Sequence, residues 1–288
     1  MKIDDICLII GTQKGGTTSL FNYLSQHPQI AASRIKEVDF FYRDSIWEKG
    51  IDYYESLWNW EPQTHRIALE ASPGYTQSFA IVEKVIQRVK TLDANFKFIY
   101  ILRSPIPKIQ SMRKQGFYQG WYAKWLAQET PDTVPTRVLE QTSYATIIRH
   151  FEQAFSSDNI LLLKTEDLRK TDDANALMKK TCQFLEIDDT FEFSLSKVHN
   201  AQNSYRQDTF WHFLREAQYL TPLKTLIPDG IKNNARRLLS KPIGNKKKTL
   251  PPLTATQKQF ILDALKDDMR QLEVTYNLDV SDWTNAIA

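Results

Sequence analysis

The chain has 288 residues, 42% hydrophobic and 25% charged, with a net charge of +3. This length supports one large domain, or at most two small ones, and the composition is that of a soluble globular protein. So small a net charge argues against a whole-molecule polyanion binder, and two cysteines, Cys7 in an apolar run and Cys182 in a helical pattern, read as buried free thiols.

Residues 6–10 form a short, wholly apolar run that predicts a strand buried on both faces. A glycine-rich turn follows, then a helix over 17–25 with Leu20, Phe21 and Leu24 on one face, ended by His27-Pro28. A second short strand is expected over 30–32, a helix over 49–60, and a strand over 67–70 closed by Ser72-Pro73-Gly74. Residues 79–90 repeat apolar positions at helical spacing, and 96–102 (FKFIYIL) is the clearest strand. Ser104-Pro105 opens the next helix. Residues 116–136 are aromatic and irregular, 142–155 helical, 159–163 a strand and 174–185 a helix. Alternating strands and helices predict an α/β fold, a mainly parallel sheet with helices on both faces, whose ligands sit beyond the carboxyl ends of the strands. Residues 222–252 form a connector with five prolines and eight basic residues against one acidic residue, and 254–277 a final helix opened by a Thr254–Gln257 capping box. The reading is one domain over 1–288. Its start, MKIDDICLII, enters a strand directly, and no apolar run approaches a membrane span. No signal peptide, no membrane association and a cytoplasmic location are therefore expected.

Four stretches carry chemistry. In GTQKGGTTS, Gly11 and Gly16 are spaced as in a Walker A loop, but Thr17 stands where the lysine belongs and Lys14 has moved into the loop. Adjacent glycines, one lysine and three hydroxyls (Thr17, Thr18, Ser19) exceed what a turn needs and suit a phosphate cradle at a helix N-terminus. In RSPIPKIQS, Arg103 at a strand end and Ser111 two helical turns on suit a second phosphate. Lys36-Glu37 precedes Phe40-Phe41. A carboxylate beside aromatics suits a general base, although on spacing alone a solvated charge pair ahead of a core-facing Phe pair fits better. Lys246-Lys247-Lys248 reads as a solvated loop or as a flap over an anion. The five histidines show no metal-ligand spacing, and basic residues are not interleaved with aromatics as in nucleic-acid binders.

Together these stretches resemble the sulfotransferases that use 3′-phosphoadenylyl sulfate (PAPS), in the branch of the Golgi glycan and heparan sulfate enzymes and their soluble bacterial relatives. TQKGGTTSL resembles the loop for the 5′-phosphosulfate, LRSPIPKIQSM the element for the 3′-phosphate, and SRIKEVDFF the segment with the catalytic glutamate. LEASPGY and SDNILLLKTEDL are similar to further family segments. The resemblance implies a P-loop-like three-layer α/β/α fold with a helical C-terminal part. It also implies a metal-independent transferase with PAPS as donor and 3′,5′-ADP (PAP) as product. Glu37 would be the general base and Lys14 would neutralise the leaving phosphate. Lys14, Gly15, Gly16, Thr17, Thr18, Ser19, Arg103, Ser111, Lys247 and Lys248 would bind the donor. Lys36, Asp39, Phe41 and, in the aromatic segment GFYQGWYAKW, Trp121 are expected at the acceptor, a small molecule or glycan offering a hydroxyl or amine. Val38-Asp39 departs from the family's Pro-His, and Ala71 stands where some glycan enzymes carry lysine. The first leaves acceptor recognition open, with Asp39 expected to make the pocket mouth more acidic and to suit a neutral or cationic acceptor; the second argues against a heparan-like polyanion. The alternative is a P-loop kinase or NTPase, which Thr17 disfavours.

Overall fold

The computed structural model describes residues 2–119, 128–195 and 250–283. Along the chain run β1 (Asp5–Gly11), α1 (Thr17–Leu24), β2 (Ile30–Ala32), α2 (Asp44–Trp47), α3 (Gly50–Glu55), β3 (Ile67–Ala71), a 3-10 turn (Pro73–Thr76), α4 (Phe79–Val89) and β4 (Asn95–Leu102). They continue with α5 (Pro105–Gln119), α6 (Thr136–Glu140), α7 (Tyr144–Ala154), β5 (Ile160–Lys164), α8 (Thr171–Leu185) and α9 (Ala255–Val274). The five strands make one sheet in the order β2-β3-β1-β4-β5, and every pairing is parallel. The fold is the expected α/β architecture, with β1 at the centre.

The apolar runs are continuous because each strand feeds two cores. In β1, Ile6, Leu8 and Ile10 enter an aromatic-rich layer with Tyr54, Tyr75, Phe98 and Phe151. Cys7 and Ile9 enter the opposite layer with Leu20 and Phe21 of α1 and Met178 and Cys182 of α8. Both cysteines are buried and free.

Two helix expectations change. The helix expected over 49–60 is shorter, with α3 ending at Glu55, and a separate short helix, α2, precedes it; Gly50 at the start of α3 has a φ of 77°, which suits glycine. Residues 116–119, expected to be irregular, extend α5 to Gln119. Most of the 222–252 connector lies outside the described residues.

The C-terminal helix locks onto the rest of the domain through polar bonds. Thr254 and Gln257 form the capping box at its start. Arg113 of α5 makes a buried, two-pronged pair with Glu129, at 2.6 and 3.3 Å, and Gln257 donates to the same carboxylate at 3.0 Å. Asp268 accepts from the backbone N–H groups of Ala145 and Thr146 and from the Thr146 hydroxyl, each at 3.0 Å. These are first-turn donors of α7, whose own N-cap residue, Ser143, supplies no side-chain cap. Asp268 is therefore a cap provided from another helix. Trp283 is fully buried, edge-on to Tyr144. Among the described residues no helix is long and apolar enough to cross a membrane.

Asp268→Ala strands these donors and is expected to cost about 1–3 kcal/mol in a urea unfolding titration, with Asp268→Asn losing less because one carbonyl acceptor remains.

Candidate functional site

Because all strands run parallel, the segments following β1, β2, β3, β4 and β5 meet at one end of the sheet. The loop after β1 is fastened onto β4. The Thr12 N–H donates to the Ile101 carbonyl at 2.8 Å, and the Gly15 N–H to the Thr12 carbonyl at 2.9 Å. A Cβ on Gly15 would lie 2.8 Å from that same Ile101 oxygen, so only glycine lets the loop lie so close. Gly16, at φ 90°, turns the chain into α1, which has no side-chain cap and no acidic residue in its first turn. That helix end, beside Lys14 and the hydroxyls of Thr17, Thr18 and Ser19, is a donor set suited to an anion.

Arg103 lies at the end of β4, as expected, and its Nη1 donates to the Lys14 carbonyl at 2.7 Å. Its own carbonyl accepts from the Tyr144 hydroxyl at 2.8 Å. Thr165, the residue after β5, shares its one hydroxyl proton between the Gly15 and Leu102 carbonyls, at 2.5 and 2.7 Å. Arg103 and Thr165 therefore shape the cradle from outside. Ser111 is half-buried on α5. Lys108, in the same stretch, is fully buried against the Gln141 carbonyl and Thr142 hydroxyl; burial, helped by the Arg103 charge, holds its ammonium well below its ordinary pKa.

On the other flank of β1, the Ser72 N–H donates to the Ile9 carbonyl at 3.2 Å, and the Glu37 N–H to the neighbouring Ala71 carbonyl at 2.9 Å. Glu37 is thus hung from β3, one strand from the loop. Lys36 Nζ lies 2.7 Å from Glu37 Oε1. Lys14, Glu37 and Asp39 all take left-handed backbone, with φ of 66°, 60° and 59°. Such non-glycine residues are uncommon and cost about 1 kcal/mol or more each, so surrounding contacts must impose them. The other two non-glycine examples among the described residues, Glu186 and Asn277, follow helices.

Three expectations about this segment need correction. Phe41 cannot line an acceptor site: beyond the left-handed turn at Asp39, it and Phe40 both enter the core, where Phe41 is fully enclosed by Tyr54, Tyr75 and Phe96. Glu37 is not desolvated by that pair, since its side chain is 44% exposed. Desolvation falls instead on Asp39, which is 9% exposed rather than at a pocket mouth. Burial pushes the Asp39 carboxyl up to about 7, against the pull of Arg43 at 3.0 Å and the Tyr42 hydroxyl at 3.3 Å, while Glu37 and Glu70 add to the rise. Trp121, Lys247 and Lys248 lie outside the described residues.

Sequence reasoning missed Thr165, Tyr144 and Glu70. Glu70 left a signal, a carboxylate inside the otherwise apolar strand IALEA. Among the described residues no group of three or more His, Cys, Asp or Glu is arranged to hold a metal ion.

The raised Asp39 pKa has a definite sign. Between the unfolded value near 4 and the folded value near 7, the folded state holds a proton that the unfolded state has lost, so this group's contribution to stability falls as pH rises through that window. Asp39→Asn removes the effect. Relative to wild type it should gain stability between pH 4 and pH 8, by on the order of 1–4 kcal/mol, in paired denaturant titrations.

The sequence matches a family model described as "Sulfotransferase domain" over residues 4–272. It is 34% identical over 99 residues to heparan sulfate glucosamine 3-O-sulfotransferase 5 of Mus musculus, covering 34% of this chain and 27% of that protein. To bifunctional heparan sulfate N-deacetylase/N-sulfotransferase 4 of Mus musculus it is 26% identical over 216 residues, covering 69% and 24%. The chain thus matches about a quarter of the length of these curated relatives. A solved sulfotransferase from Alicyclobacillus acidocaldarius shares the fold at a TM-score of 0.54 and 22% identity, over 78% of this chain and 97% of that one. The family match runs through the glycine loop, the Glu37 segment and Arg103 and into α9, and on that span the chain belongs to the sulfotransferase domain family.

Proposed function

We propose that this chain transfers a sulfuryl group from PAPS to a hydroxyl or amine of a small molecule or glycan, releasing PAP. What carries the reading, beyond family membership, is one arrangement. Lys14 and Glu37 both occupy left-handed positions, and their backbones are fastened to elements on opposite sides of β1, Lys14 by Arg103 after β4 and Glu37 by Ala71 of β3.

The cradle fits the donor's anionic end. N–H groups of the first turn of α1 and the hydroxyls of Thr17, Thr18 and Ser19 would bind the 5′-phosphosulfate, with Gly15 and Gly16 allowing close approach. Arg103 and Ser111 would receive the 3′-phosphate. When bound, PAPS supplies an activated sulfuryl group whose bond to the bridging oxygen breaks as the acceptor attacks sulfur. Lys14 neutralises the charge that develops on that bridging oxygen, and Glu37 takes the proton from the attacking hydroxyl or amine. Lys36, paired with Glu37, orients the carboxylate before it takes that proton. Such a transfer, like phosphoryl transfer, relies mostly on positioning and charge stabilisation. The relatives named for heparan sulfate point towards carbohydrate acceptors. Ala71 and the half-exposed Glu37 favour one less anionic than heparan.

Calorimetry should show PAP bound in preference to ATP; the reverse order would favour the kinase alternative. With PAPS and a panel of acceptors read by mass gain, Lys14→Ala should lower transfer by about 100-fold or more. Glu37→Gln should lower it by about 100- to 1,000-fold while leaving PAP affinity within about threefold. Wild-type turnover in Glu37→Gln removes the base assignment.

A further inference from the structure

Glu70 belongs to β3, yet its side chain turns into the aromatic layer and is fully buried. Three hydroxyls donate to it. Ser72 and Tyr75 both reach Oε1 at 2.6 Å, and Tyr54 reaches Oε2 at 2.7 Å. Two of these hydroxyls are also acceptors. Ser72 Oγ accepts the Asp39 N–H at 3.0 Å, and the Tyr75 hydroxyl accepts the Phe41 N–H at 3.4 Å.

A hydroxyl has one proton to give. With that proton committed to Glu70, the lone pairs of Ser72 and Tyr75 are left to face the chain at 39 and 41. The Glu37 N–H is already held by the Ala71 carbonyl at 2.9 Å. Residues 37, 39 and 41 are thus pinned at alternate N–H groups by β3 and the turn after it. Two of the three have left-handed backbone, which relaxes unless held.

We propose that Glu70 is a positioning residue: its carboxylate orients the Ser72 and Tyr75 hydroxyls as acceptors, and these fix the 37–41 segment so that Glu37 stands ready to take the acceptor's proton. The inference rests on the reading of Glu37 as base. Oε1 alone serves both struts. A proton on Oε2, shared with Tyr54, leaves that function intact, and so does an amide whose oxygen occupies the Oε1 position.

Five variants test this: Glu70→Gln, Glu70→Leu, Ser72→Ala, Tyr75→Phe and the Ser72→Ala/Tyr75→Phe double variant. Readouts are backbone amide exchange over residues 37–41, kcat at saturating PAPS, and PAP affinity by calorimetry. The Ser72→Ala/Tyr75→Phe protein should exchange its Asp39 and Phe41 amides about tenfold faster and lose about tenfold or more in kcat, with PAP affinity within about twofold. Glu70→Leu should behave likewise, and Glu70→Gln should stay near wild type on all three. If Glu70→Leu does not fold, the hydroxyl variants and Glu70→Gln decide the matter. Unchanged amide exchange in the double variant overturns the proposal, as does wild-type kcat in a protein whose Glu37→Gln counterpart is inactive, or a Glu70→Gln protein as impaired as the double variant. Wild-type turnover in Glu37→Gln would overturn the base reading alone, and amide exchange would still decide whether Glu70 orders the segment.

Discussion

The contact between the Thr12 N–H and the Ile101 carbonyl sets the geometry of the whole cleft. It pulls the loop that leaves β1 sideways onto β4, against the carbonyl row of a neighbouring parallel strand. Once the loop is there, Gly15 has no room for a side chain, Gly16 must take φ 90°, and Lys14 must take a left-handed conformation. Arg103 and Thr165 then close round the loop's carbonyls rather than its N–H groups. A loop whose carbonyls are bonded from behind presents a positive face in front. This is electrostatic preorganisation made from backbone.

The opposite flank follows a different design. No glycine loop supports Glu37. Its segment is held by a strand carbonyl and by hydroxyls that stand on a buried carboxylate. Such a buried polar network is costly when partly satisfied and rigid when fully satisfied. Here Glu70 meets three donors, and burial raises its pKa as well as those of Tyr54 and Tyr75, keeping the phenols protonated and able to donate. One wall of the site is thus shaped by glycines and the other by a hydroxyl–carboxylate network, with β1 between them.

The strands and their parallel arrangement were legible because apolar runs of this length, alternating with helices, admit few alternatives, and the glycine loop was legible because so many anion-binding residue types crowd into it. The reading of residues 36–41 was poorer for a physical reason. Sequence spacing assumes that neighbours keep a regular alternation, and two left-handed residues, Glu37 and Asp39, break it. Phe41 therefore went to the core and Asp39 under cover, while Glu37 stayed half exposed. Thr165 and Tyr144 were invisible because what they do, bonding a carbonyl on a distant segment, leaves no local pattern. The helix α2 was missed because its four residues are too few to show a helical period.

The cap that Asp268 lends to α7 crosses more than 120 positions of sequence. During synthesis α7 emerges with open N–H groups at its start, and the residue that closes them leaves the ribosome more than 120 residues later. The sheet and its glycine loop can assemble earlier, since all five strands precede α9. Helix α9 then acts as a latch. Until it docks, the helix whose first residue, Tyr144, holds the Arg103 carbonyl has an unfinished end, so a chain truncated before α9 would carry the loop sequence without the completed frame behind it.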